Sequence, residues 1–155
     1  MNDQQMAPQG YANAFRAELT PVDHLVRSAA VHGARIAVVD GALRMTYEEL
    51  LDECRRQAGA LEALGIRPGD RVAVLAPNSA LLLQAHYSVP MAGAVLVALN
   101  MRLAAHELAA IVAHSGARLT LVDESLLERA AEITVPIIPA TEFDPQARLL
   151  GRPDR

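Results

Sequence analysis

Four short segments rich in apolar residues, at 72–75, 94–98, 118–122 and 135–138, stand out from the hydropathy pattern, and the segments between them repeat apolar residues every three or four positions. Brief, β-branched runs bounded by Gly, Pro and Asp read as buried strands, and the longer periodic segments read as helices. The stretch 68–100 holds a strand, a helix and a second strand in about thirty residues, the spacing of a βαβ unit, whose strands lie parallel and whose crossover is right-handed. The predicted fold class is therefore α/β. We expect a three-layer sandwich with a mainly parallel, doubly wound, Rossmann-like sheet, preceded by a β-hairpin.

In chain order, residues 1–19 are rich in Gln, Asn and Ala without a clear period and read as a flexible N-terminal arm. Thr20 and Pro21 open a helix with the apolar stripe Val22, Leu25, Val26 and Ala29, closed by Gly33. A hairpin over 36–45 follows, with Asp40 and Gly41 as its turn. Thr46 and Glu49 form a capping box for a helix whose inward positions are Leu50, Leu51, Cys54, Ala58, Leu61 and Leu64, and Gly65 stops it. After the strand at 72–75, Pro77 and Asn78 break the chain. Asn78 or Ser79 caps a helix with apolar positions Leu82, Leu83, Ala85 and His86, which Pro90 should end or kink near Ser88. A loop over 100–104, a helix over 105–114 with Leu108, Ile111 and Val112 inward, a strand at 118–122, a helix over 124–132 and a strand at 135–138 complete the pattern. The compact region is expected over 20–143 and a polar tail over 144–155.

Three stretches, MTYEEL at 45–50, ALGIRPGDRVAVLAPNS at 63–79 and PMAGAVLVALN at 90–100, resemble the start of the AMP-forming adenylating enzymes: acyl-CoA synthetases, nonribosomal adenylation domains and luciferases. The likeness runs from Thr20 to Glu142 and is most similar to fatty or aromatic acid CoA ligases. It implies ATP, Mg²⁺ and CoA as cofactors of the whole enzyme, which converts a carboxylate to acyl-CoA with release of AMP and pyrophosphate. That family also implies a Ser/Thr/Gly-rich phosphate loop ending in lysine, a Tyr-Gly-x-Thr-Glu segment, a ribose-binding Asp and a C-terminal catalytic lysine. None occurs in this sequence, and all 14 of its Lys+Arg residues are arginine. The resemblance thus implies an N-terminal, truncated part of a ligase that is catalytically incomplete alone and binds no cofactor tightly. Its partner is the remainder of the synthetase, or a second copy meeting it through the exposed subdomain surface.

Composition narrows the alternatives. With 52% apolar but only 3% aromatic residues, the core is built from Ala, Leu, Val and Ile, which suits a parallel sheet covered on both faces. A net charge of −4 without a basic cluster points away from nucleic acid. No apolar stretch reaches the roughly 18 residues of a membrane span, and the opening MNDQQMAPQGYANAF lacks a secretory pattern. The lone Cys54 excludes an internal disulfide and fits a reducing cytoplasm.

Candidate chemistry is sparse. Asn78 and Ser79 open a helix at the carboxyl end of a strand, where free amides favour an anion, although capping alone explains both. Asn100 and Arg102 follow the next strand, and Arg102 could meet a carboxylate or phosphate. His106 and His114 lie two turns apart on one helix, too far to share a tetrahedral ion, and His86 adds no partner, so no metal site is assigned. Adjacent Glu48 and Glu49 diverge on a helix and make no acid–base pair. Catalytic residues are none. A non-catalytic interaction module, split half of an enzyme, and a small nucleotide- or CoA-binding α/β protein remain the alternatives.

Overall fold

The computed structural model describes residues 19–140 and Phe143; the expected polar tail over 144–155 and, apart from Leu19, the expected arm over 1–19 lie outside the described residues. The elements run α1 (Pro21–His32), β1 (Ile36–Asp40), β2 (Leu43–Thr46), α2 (Tyr47–Ala63), β3 (Arg71–Leu75), α3 (Ala80–Met91), β4 (Val95–Ala98), α4 (Ala105–Ser115), β5 (Ala117–Val122), a 3₁₀ helix (Glu124–Ala130) and β6 (Ile137–Pro139).

Local chemistry explains most boundaries. Thr20 and Asp23 bond reciprocally at the start of α1, which holds the Asp23 carboxyl below its ordinary value through the Thr20 hydroxyl and amide. At α2 the Glu49 carboxylate accepts the Thr46 N–H at 2.7 Å, and the Thr46 hydroxyl accepts the Glu49 N–H at 3.2 Å. Gly116 takes a left-handed φ of +64° to close α4. Gly93, at φ +71°, turns α3 into β4 where a Cβ would stand 3.2 Å from the Pro68 ring, so the position accepts only glycine without strain.

All four strands of the main sheet are parallel, in the order β4-β3-β5-β6. The chain steps outward from β3 to β4, then returns past β3 to β5, so strand order reverses between β3 and β5. This doubly wound topology puts helices on both faces. Val72 and Val74 pack with Leu61, Ala85 and Val89 of α2 and α3, while Ala73 and Leu75 pack with Leu108 and Val112 of α4 and Leu126 of the 3₁₀ helix. A third cluster joins α1 and the antiparallel hairpin to α2 and α3 through Leu25, Val38, Leu50, Leu51, Cys54 and Ala80. Between α2 and α3, the Gln57 amide donates to Gln84 Oε1 at 2.8 Å and to Glu53 Oε1 at 3.2 Å, a polar bridge inside an apolar contact. At the other end of the sheet, Arg71 Nε donates to the Ser115 carbonyl at 2.8 Å, where the C-terminal end of the α4 dipole favours a cation.

Several expectations are corrected. The hairpin turn is Gly41 and Ala42 rather than Asp40 and Gly41, since Asp40 pairs with Leu43 inside the ladder and Gly41 supplies the one positive φ. On α1, Val26 is exposed, and on α4, Ile111 is exposed, so each buried stripe is narrower than its periodicity suggests. On α3 the buried positions are Ala80, Gln84, Ala85, Ser88 and Val89, while Leu83 and His86 face out, because the Gln57 amide gives Gln84 a partner inside. Pro90 lies within α3, which continues to Met91: in the last turn the missing N–H removes a single helical bond. The helix after Asp123 is a 3₁₀ helix of seven residues that ends at Ala130 instead of Glu132, opened by Asp123 Oδ1 accepting the Ser125 N–H at 3.0 Å. The last strand begins at Ile137 instead of at 135.

Thr46→Ala removes one half of the α2 capping box. We expect a loss of about 1 kcal/mol, read as a lower urea midpoint with an unchanged slope.

Candidate functional site

An open groove of about 560 Å³ lies between β1 and the first two turns of α3, with Pro21 of α1 at its edge. Its apolar wall comes from Val38 and Val39 on one side and from Leu82 and Leu83 on the other. Asp40, Asn78, Ser79, His86 and Tyr87 supply the polar groups. The groove lies at the carboxyl end of β3, beside the point where strand order reverses, which is where open α/β sheets take ligands.

Asp40 decides the electrostatics of this corner. As the last residue of β1 it crosses to α3, and its Oδ2 accepts the Ala80 N–H at 2.8 Å. Ser79 occupies the N-cap position of α3 in the extended conformation usual there, at φ −139° and ψ 173°, but its side chain makes no capping bond. A carboxylate from 40 residues upstream does that work instead. The Ser79 hydroxyl is left buried with no hydrogen-bond partner among the described residues. His86 Nδ1 stands 2.7 Å from the Leu82 carbonyl, which can only accept, so Nδ1 donates.

Asn100 and Arg102 follow β4 at the same end of the sheet, but they do not line the groove. Asn100 Oδ1 accepts the Arg102 N–H at 3.0 Å, and the Asn100 carbonyl accepts the Leu103 N–H at 3.1 Å. Asn100 is thus committed to its own turn. The Arg102 side chain is exposed. His106 and His114 are exposed on α4, and no cluster of three metal-ligating side chains occurs among the described residues. Cys54 is fully buried, its Sγ 3.7 Å from the Gln84 carbonyl, and burial pushes its thiol up to about 12, with the Glu53 carboxylate adding to the rise.

Asp40 works against an anion at this corner. Phosphate recognition at a helix N-terminus needs several free amides converging on one anion, whereas the Ala80 amide is already satisfied by a carboxylate whose charge repels a second anion. The arrangement suits an apolar group carrying a hydrogen-bond donor. Sequence reasoning missed Asp40, which the Asp-Gly pair made look like a turn residue, and it missed the paired glutamines; no local signal marks either, because each partner lies far away in the chain.

Residues 25–151 match the family model described as AMP-binding enzyme. An acetate/butyrate–CoA ligase of Arabidopsis thaliana, named as peroxisomal, is 40% identical over 114 residues, 74% of this chain and 20% of that ligase. A trans-cinnamate:CoA ligase of Petunia hybrida, also named as peroxisomal, is 38% identical over 125 residues, 81% of this chain and 22% of the ligase. Among solved structures, the N-terminal domain of FACL13 from Mycobacterium tuberculosis superposes with a TM-score of 0.72 at 32% identity, covering 81% of this chain and 34% of that one. O-succinylbenzoate coenzyme A synthetase from Bacillus subtilis, solved with ATP and magnesium ion, gives 0.70 at 30% identity over 77% of this chain and 33% of that one. The chain spans about a fifth of the length of the curated relatives it matches.

Two outcomes follow from the geometry. Asp40→Ala uncaps α3 and should cost about 1 kcal/mol, measured as a fall in thermal midpoint that Asp40→Asn largely recovers. Because the folded Cys54 thiol is raised from 9.0 to about 12, folding keeps its proton on. The stability it contributes is present below pH 9.0 and is lost as pH rises toward 12. A thiol reagent at pH 8 should therefore modify Cys54 only when denaturant unfolds the chain.

Proposed function

The chain belongs to the AMP-binding enzyme family, and from that membership we propose that it is the N-terminal part of an ATP-dependent, AMP-forming acyl-CoA synthetase acting in fatty or aromatic acid activation. In that reading the whole enzyme joins a carboxylate to ATP with Mg²⁺, releases pyrophosphate, and passes the acyl group from AMP to CoA. Adenylation turns a poor oxide leaving group into AMP, so that a thiol can attack the carbonyl.

The observation that carries the proposal is the match along α2, the β3–α3 corner and β4, combined with a sequence that holds no lysine and no phosphate loop. What this chain contributes is architecture. Its sheet presents the carboxyl ends of β3 and β4 to one side, where Arg102 is exposed and free to face a carboxylate or phosphate of the completed enzyme. Asn78 and Ser79 form the adjoining wall, and Asn100 holds the turn that presents Arg102. ATP, Mg²⁺ and CoA would be gripped mainly by groups outside this chain, and no catalytic step is assigned to its residues. The single buried cysteine suits a reducing compartment, and the reading places the protein in the cytoplasm. No helix among the described residues is long and apolar enough to cross a membrane. A free-standing nucleotide-binding protein is the weaker reading, since Asp40 occupies the helix end that a phosphate would need.

Pyrophosphate exchange into ATP, assayed with the chain alone and a panel of short, long and aromatic acids, should stay at background. Exchange above background would overturn the claim of catalytic incompleteness.

A further inference from the structure

Among the described residues β4 and β6 are the outer strands of the parallel sheet, each with one edge that no strand pairs, and the two edges differ. On β6 the Pro136 carbonyl accepts the Thr120 N–H at 2.9 Å, so alternation turns Ile137 and Pro139 outward. Pro139 has no amide to give, and its carbonyl already accepts the Phe143 N–H at 3.0 Å. That edge is blunted, as free sheet edges in natural proteins commonly are.

The β4 edge has no such device. The Val95 and Leu99 amides donate to the Asp70 and Val74 carbonyls at 2.8 and 2.9 Å, so the odd-numbered residues face β3 and the amides and carbonyls of Leu96 and Ala98 face the open side. Val95 is 51% exposed and Ala98 is exposed as well. Neither a proline nor a bulge interrupts β4, and no Asp, Glu, Lys or Arg stands anywhere between Arg71 and Arg102. Nothing on this edge repels a second strand of the same sequence.

We propose that the 155-residue chain forms a two-fold dimer by antiparallel pairing of β4 with β4 of a second copy, which joins two four-stranded sheets into one continuous sheet. The proposal stands apart from the fragment reading and does not need it. The free backbone groups fix the register. Antiparallel strands exchange paired bonds only between residues whose amides face each other, so Leu96 lies opposite the copy's Ala98 and Ala98 opposite the copy's Leu96. The two-fold axis then passes at Val97, which meets its own counterpart in the closer, non-hydrogen-bonded kind of pair, where β-branched side chains pack. Val97 is only partly buried against the α4 side of the sheet, and the copy's Val97 covers what is left. A second copy is the occupant this edge selects, because an isologous contact needs a strand without charge whose free donors and acceptors repeat about its own midpoint, and β4 supplies both.

Sedimentation equilibrium of the 155-residue chain should show monomer and dimer exchanging with concentration. A chain that stays monomeric up to millimolar concentration overturns the proposal. Ala98→Pro deletes an outward N–H that β3 does not use, so the chain should still unfold cooperatively while its dimer dissociation constant rises roughly tenfold or more, two intermolecular bonds being lost. An unchanged constant in the folded variant overturns the pairing of edges. The register is read separately with single cysteines, since Cys54 is buried and gives no background. Under mild oxidation Val97→Cys should yield a disulfide-linked dimer, its two sulfurs meeting across the axis. Val95→Cys should not, because its counterpart stands four residues out of register, about 13 Å away. This pair of variants decides the matter even where Ala98→Pro fails to fold: cross-linking of Val95→Cys as fast as Val97→Cys, or of neither, overturns the proposal.

Discussion

Burial of β3 on both faces is the constraint from which the rest follows. Val72, Ala73, Val74 and Leu75 are all at 0% exposure, and because successive side chains point to opposite sides, each face must be covered. The even members call for α2 and α3, the odd members for α4 and the 3₁₀ helix. A strand buried on both sides also needs neighbours along both edges for its backbone amides, and β4 and β5 provide them. The three layers are the smallest arrangement that meets both demands.

This central unit was legible because it is local. Turn residues Pro68, Gly69 and Asp70, an apolar run too short for a helix, and a Pro77 stop lie in one stretch, and Thr46 with Glu49 spells out a cap within four residues. What was hidden depends on partners distant in sequence. Gln84 looks like a solvent-facing residue until Gln57, 27 positions away, is placed opposite it. Leu83 looks like core until the buried side of α3 is seen to be already full. Asp40 reads as a turn, and its link to Ala80 appears only once the hairpin is folded back over α3.

The candidate corner was legible in position, whereas its electrostatics were not. Asn78 and Ser79 do stand at a helix start beside the reversal of strand order, as the doubly wound pattern suggests. Yet the charge there is set by Asp40, which converts a helix end suited to anions into one that accepts donors. The chain belongs to the AMP-binding enzyme family, and at this corner the first amide of α3 is taken by Asp40.

The amide bridge between α2 and α3 has a mechanical consequence. If the two helices slid by a single turn, Gln57 and Gln84 would part in a dry contact, each leaving an unsolvated donor or acceptor behind. Loss of apolar packing is graded, whereas loss of this bond is abrupt. The bridge therefore acts as a detent, setting the hairpin layer and the parallel sheet at one fixed angle.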